Sequence, residues 1–136
     1  MCEPGMHRGL RLQDDRVACT VCGELRRGRV LNVRDLGGSV RKLPSGVVYV
    51  GRPSIWANPF TTARGSVLEE LVVDTPEEAV LRYAEWMAEP EQKPLRDRLA
   101  AIAGRDLACW CAPEACHGQV LAGLSLVAAR ARRLGA

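Results

Sequence analysis

The stretch Leu107-Ala-Cys-Trp-Cys-Ala-Pro-Glu-Ala-Cys-His-Gly-Gln-Val-Leu121 brings four potential metal ligands or nucleophiles into nine residues, Cys109 to His117. It reads as a strand that runs into a loop and then a helix. Cys109 and Cys111 are two residues apart, so on an extended strand their sulfurs share one face while Trp110 takes the other. Cys116 and His117 fall at the start of the following helix. Free backbone N–H groups and positive potential there favour a thiolate or a bound anion. The stretch marks a site without naming its reaction.

Upstream, Val47-Val-Tyr-Val50 is a continuous apolar run between Gly46 and Gly51, the pattern of a buried strand, and Val30-Leu-Asn-Val33 reads as an earlier one. The segment Leu68 to Val73 fits a short strand or a ragged helix. Thr75-Pro-Glu-Glu78 is a clear helix start, with Thr75 as N-cap, Pro76 at the first helical position and Glu78 completing a capping box. Ala79, Val80, Tyr83, Ala84 and Met87 form its apolar stripe. A second helix opens at Pro94, turns Leu95, Leu99 and Ile102 inward and stops at Gly104. The last helix carries Val120, Leu121, Leu124, Val127, Ala128 and Ala131, and its terminal Arg130, Arg132 and Arg133 complement the helix dipole. These elements predict an α/β fold: a small Rossmann-like sheet, largely parallel, flanked by helices.

Between the second strand and the helices lies Gly51-Arg-Pro-Ser-Ile-Trp-Ala-Asn-Pro-Phe60, irregular yet holding half of the chain's Trp and Phe. Loops at the carboxyl ends of buried strands are where α/β proteins bind ligands. Arg52 suits a phosphate or carboxylate, Ser54 and Asn58 suit polar edges, and Trp56 suits stacking on a base. The alternative is structural: Trp56 and Phe60 plug an apolar gap and Asn58 caps a turn.

At the other end of the chain, Cys2, His7, Cys19 and Cys22 follow a C-x4-H-x11-C-x2-C spacing. Zinc takes four such ligands at tetrahedral geometry, and a Cys-x2-Cys turn supplies two of them. Gly23 suits the curl after that turn. Glu24 to Arg29 is a short basic linker. The chain thus divides into a zinc-knuckle-like segment, residues 1–28, and an α/β domain, residues 29–136. A CxxC that acts as a redox pair is the competing reading.

With 136 residues, 47% hydrophobic and 26% charged, the composition is that of an ordinary globular chain. No run of 18 apolar residues occurs and the N-terminus is polar, which excludes a membrane span or signal peptide as an expectation and points to the cytoplasm. Six cysteines in that reducing setting favour metal or chemistry over disulfides. The net charge of +3 is uneven: +4 over residues 1–44, −3 over 45–104 and +2 over the rest. A basic N-terminal third fits contact with phosphates, or simply a solvated face.

The two motifs carry a resemblance. Val48-Tyr-Val-Gly-Arg-Pro-Ser-Ile-Trp-Ala-Asn-Pro-Phe60 and Asp106-Leu-Ala-Cys-Trp-Cys-Ala-Pro-Glu-Ala-Cys-His-Gly-Gln-Val-Leu121, in this order, resemble the phage and bacterial domain of unknown function family 4326 over roughly residues 29 to 129. That family favours Gly at the position of Ala57 and an acid at the position of Gln119. The second departure weakens any role for a carboxylate beside His117. The resemblance implies a domain and a phage or bacterial setting, with the N-terminal knuckle as an addition.

Three readings of the central cluster stand. Cys109, Cys111, Cys116 and His117 bind a metal, with three of them plus an outside ligand preferred because adjacent Cys116 and His117 do not readily face one ion. Or a thiolate is the nucleophile: Cys111, with the five residues of a phosphate-cradling loop between it and His117, or Cys116, activated by the helix dipole with His117 or His7 as base. Or the turn is packed and inert. No complete set of acid, base and nucleophile is visible, so binding is favoured over catalysis. The expected function is a small zinc-binding protein that holds a nucleotide or nucleic-acid-related ligand between the Arg52–Phe60 and Cys111–His117 loops. The alternatives are a nucleotide-directed enzyme and a phage interaction protein that binds a host protein.

Overall fold

The computed structural model describes residues 9–11, 17–19, 27–63, 65, 68–112 and 114–133. Strands β1 (Gly9–Arg11) and β2 (Val17–Cys19) pair antiparallel, Gly9 opposite Cys19. Of the expected N-terminal zinc ligands, Cys2, His7 and Cys22 lie outside the described residues, and Cys19 is described only by its backbone.

The α/β body is built on β3 (Val30–Asn32), β4 (Val48–Tyr49) and β5 (Leu107–Cys109), in the order β3-β5-β4. Both pairings are parallel, with Val30 and Val48 each opposite Leu107. The last strand in sequence is therefore the central one. Leu107, Ala108 and Cys109 are all buried, as a parallel strand covered on both faces must be. Asp106, just before β5, fastens the sheet from beneath. Its buried carboxylate accepts from Arg29 N, Nε and Nη2 at 3.0, 3.2 and 2.8 Å, and its carbonyl accepts from Val48 N at 2.9 Å.

Helix α1 (Pro76–Met87) begins where the capping box places it: Thr75 Oγ1 accepts from Glu78 N at 3.1 Å. Its buried residues Ala79, Tyr83 and Met87 fall four apart, one stripe on a 3.6-residue helix. The second expected helix divides. Helix α2 (Lys93–Arg96) makes one turn, and a 3-10 segment, Leu99–Ile102, follows. In a 3-10 helix residues three apart eclipse, which sets buried Leu99 over buried Ile102 against α3 (Gly118–Arg133).

The strands are shorter than the apolar runs. β3 stops at Asn32 because the Asn32 Oδ1 accepts from Arg34 N at 2.8 Å and starts a 3-10 turn, Val33–Leu36. Val50 lies beyond β4 yet still donates its N–H to Ala108 O at 2.9 Å. Leu68 to Val73 is neither of the expected elements alone: a 3-10 turn, Glu69–Leu71, leads into a parallel bridge between Val72 and Thr61. The core gathers Val50, Trp56, Tyr83, Met87, Leu99, Ile102, Leu107 and Leu121. Among the described residues no helix is long and apolar enough to cross a membrane.

Candidate metal and ligand site

All three strands of the sheet deliver their carboxyl ends to one edge, and the chemistry collects there. Cys109 is the last residue of β5, Cys111 lies just past it, and Cys116 and His117 precede α3. The strand ends before Cys111, so the two sulfurs are not aligned by pleat alternation as the sequence predicts. They meet because the chain bends as it leaves the strand, with Cys111 N donating to Cys109 Sγ at 3.4 Å. The Sγ atoms of Cys109, Cys111 and Cys116 lie within 4.8 Å of one another, a group able to hold a metal ion.

Within it, the sulfurs of Cys109 and Cys116 are 2.7 Å apart. The two are in direct contact, and either thiol could donate to the other. Backbone N–H groups also point at them, Cys111 N to Cys109 Sγ and Gly118 N to Cys116 Sγ, both at 3.4 Å. Hydrogen bonds from the Cys111 and Cys116 thiols and from the backbone hold the Cys109 thiol far below its ordinary range. Donating to Cys109, together with burial, pushes Cys116 upward, and Cys111 is raised chiefly by the same partner.

His117 stands beside this group without belonging to it. Its Nε2 is 2.7 Å from Val50 O. A carbonyl only accepts, so Nε2 carries the proton and Nδ1 keeps the lone pair, 4.0 Å from Cys116 Sγ. Burial, with the Arg52 charge adding to it, lowers the imidazole pKa against the opposing pull of the Val50 carbonyl. Tyr83 packs edge-on to the ring at 5.0 Å between centroids and donates its hydroxyl to Trp56 O at 2.8 Å.

A cavity of about 580 Å³ opens over these groups, walled by Tyr49, Phe60 and Trp110 and bordered by Arg52, Cys111 and His117. Its aromatic wall is tied together: Trp110 Nε1 donates to Tyr49 Oη at 3.1 Å, which donates to Arg52 O at 2.7 Å. A side chain at Gly51 would meet that phenol, with a Cβ only 2.6 Å from Tyr49 Oη, so a larger residue there would displace the ring.

The four ligand-binding candidates part company here. Arg52 and Asn58 line the cavity, whereas Ser54 and Trp56 do not. Trp56 is 5% exposed and packs in the core. Asn58 faces the cavity with its side chain already bonded, Nδ2 to Ala79 O and Oδ1 from Phe60 N, both at 3.0 Å. Ser54 Oγ accepts from Trp56 N at 3.2 Å. Arg52 is exposed and donates from Nη2 to Asn58 O at 3.2 Å.

Sequence reasoning missed Asn32, Tyr49 and the outward role of Trp110. Buried Asn32 spans from β3 to the cysteine loop, its Nδ2 donating to Ala112 O at 2.7 Å and Trp110 O at 3.1 Å. A polar residue inside an apolar strand run was the signal available for it.

Residues 35–126 match the family model described as Domain of unknown function (DUF4326), a span that includes both motifs. No curated protein and no solved structure matches the chain.

Proposed function

The chain belongs to the DUF4326 family, and from that premise we propose that it is a small phage or bacterial protein that binds a nucleotide or nucleic-acid-related ligand in the cavity between the Arg52–Phe60 and Cys111–His117 loops. The observation that carries this reading is the cavity's composition: a wall of Trp110, Tyr49 and Phe60 with the exposed guanidinium of Arg52 at its edge. Aromatic faces accept a planar base, and a guanidinium accepts a phosphate in bidentate fashion. Its volume is in the range of small-ligand sites. Reading the sheet as Rossmann-like supports the same location, since open α/β sheets bind ligands outside the carboxyl ends of their strands.

Zinc is the ion proposed for Cys2, His7, Cys19 and Cys22, on their spacing. Binding is favoured over thiol catalysis. Cys116 and Cys111, the two thiols that could serve as nucleophile, are both raised, and the lowered one, Cys109, is buried.

The test is calorimetric titration of the full chain with nucleoside mono-, di- and triphosphates, followed in parallel by the fluorescence of Trp110. Saturable binding with quenching is expected, and Trp110→Phe should remove the fluorescence change and weaken the binding without abolishing it. Absence of saturable heat across the panel would overturn the reading.

A further inference from the structure

We infer that Cys109, Cys111 and Cys116 together hold one divalent cation of the zinc class, with its fourth coordination position open to the cavity. This centre is distinct from the N-terminal set, and it stands whether or not the ligand is a nucleotide.

The donor set comes first. Three sulfurs from two separate segments, the end of β5 and the approach to α3, converge within 4.8 Å. Inert buried cysteines pack against carbon, and nothing in a hydrophobic core favours sulfur against sulfur. On a tetrahedral zinc with Zn–S near 2.3 Å, sulfurs stand roughly 3.8 Å apart. The 2.7 Å between Cys109 and Cys116 therefore has to widen by about 1 Å, a movement that side-chain rotation at two cysteines supplies.

The surroundings fit thiolates bound to a cation. The N–H groups of Cys111 and Gly118 aim at the sulfurs of Cys109 and Cys116. Asn32 holds the loop from behind through two carbonyls, the kind of outer support that fixes ligand geometry. Gly118 is held close as well: a Cβ there would lie 2.9 Å from Val30 Cγ1, so the ligand-bearing turn sits directly on β3.

The fourth position follows from what is missing from the group. Among the described residues no fourth Cys, His, Asp or Glu donor joins the three sulfurs. His117, the nearest candidate, lies outside the group of three: its Nε2 donates to Val50 O and its Nδ1 lone pair is 4.0 Å from Cys116 Sγ, so a closed site would be one in which Nδ1 moves onto the ion. Cys109 and Cys116 are buried, Cys111 is exposed, and Cys109 and Cys111 both form part of the cavity surface. The free side of the ion therefore faces the cavity. Three protein ligands with one open position is the arrangement in which zinc acts as a Lewis acid toward a bound donor atom.

The test counts metal per chain after gel filtration. The full chain is compared with a Cys19→Ser/Cys22→Ser variant, in which the N-terminal set is disabled, and with Cys111→Ser. The N-terminal variant is expected to retain one zinc equivalent, and Cys111→Ser, at an exposed position, should keep its circular dichroism and lose one equivalent relative to the full chain. A folded N-terminal variant free of metal, or an unchanged count in Cys111→Ser, would overturn the centre. Should Cys19→Ser/Cys22→Ser fail to fold, the Cys111→Ser count alone decides. For the open position, the chain is loaded with cobalt and titrated with imidazole. The thiolate-to-cobalt absorption should appear and then shift; an absorption that imidazole leaves unmoved means a closed site and refutes that part of the inference.

Discussion

The two loops at the carboxyl edge of the sheet are equally rich in chemistry, yet they are organised in opposite ways. In the Gly51–Phe60 loop the polar side chains bond mostly the loop's own backbone, Ser54 to Trp56 and Asn58 to Phe60, with Tyr49 closing onto Arg52 O and one bond from Asn58 reaching Ala79 O of α1. It braces itself, and its Trp56 anchors the core. The Cys109–His117 loop is braced from outside, by Asn32 on its carbonyls and by Val50 on His117. Its sulfurs are left to one another and to the N–H groups of Cys111 and Gly118. A loop held by its own side chains forms the rim, and a loop held by its neighbours can present its reactive atoms.

The comparison breaks most visibly at Trp56. Trp56→Ala removes a core side chain and a packing partner of the first loop, and it should cost about 3–5 kcal/mol of stability in urea denaturation. A loss under about 1 kcal/mol would mean that the loop is not anchored through this ring. Next comes Asn32→Ala, which strands two carbonyls of the cysteine loop and should cost about 2–3 kcal/mol. It should also weaken zinc retention about 10- to 100-fold in competition with a chelator, since the lost support lies behind the ligands.

Asn58→Ala sharpens the contrast. It should cost about 1–2 kcal/mol, by removing bonds to Ala79 O and Phe60 N, and leave zinc retention unchanged. Equal effects of Asn32→Ala and Asn58→Ala on the metal would erase the distinction between the loops. The smallest effect on stability belongs to Arg52→Ala, within about 0.5 kcal/mol because the side chain is exposed. Its consequence should appear in nucleotide affinity instead, as a drop of about tenfold in the calorimetric titration, roughly 1.4 kcal/mol.

Much of this architecture is legible from local pattern. Thr75, Pro76 and Glu78 announce α1 because a capping box uses atoms only three residues apart. Val47 to Val50 reads as buried because it is continuously apolar, and β4 with Val50 occupies that place. Element ends are less legible where a side chain competes with the ladder, as Asn32 does when it closes β3 and begins a turn. The split of the helix expected from Pro94 was also unreadable, because apolar residues at 95, 99 and 102 satisfy an α-helical stripe while Leu99 and Ile102 equally satisfy a three-residue repeat.

The cysteine spacing and the aromatic loop are properties of the chain itself, and short-range chemistry was enough to mark both as a site. What only the tertiary structure decided is which atoms are free to act there. The order β3-β5-β4 puts the last strand at the centre, so Asn32 and Val50, distant in sequence, come to stand on either side of the cysteine loop. Three sulfurs converge, His117 turns its Nε2 away, and Trp110 rather than Trp56 faces the cavity. Hydrogen-bond partners across 60 to 80 residues make that selection, and spacing along the chain carries no record of them.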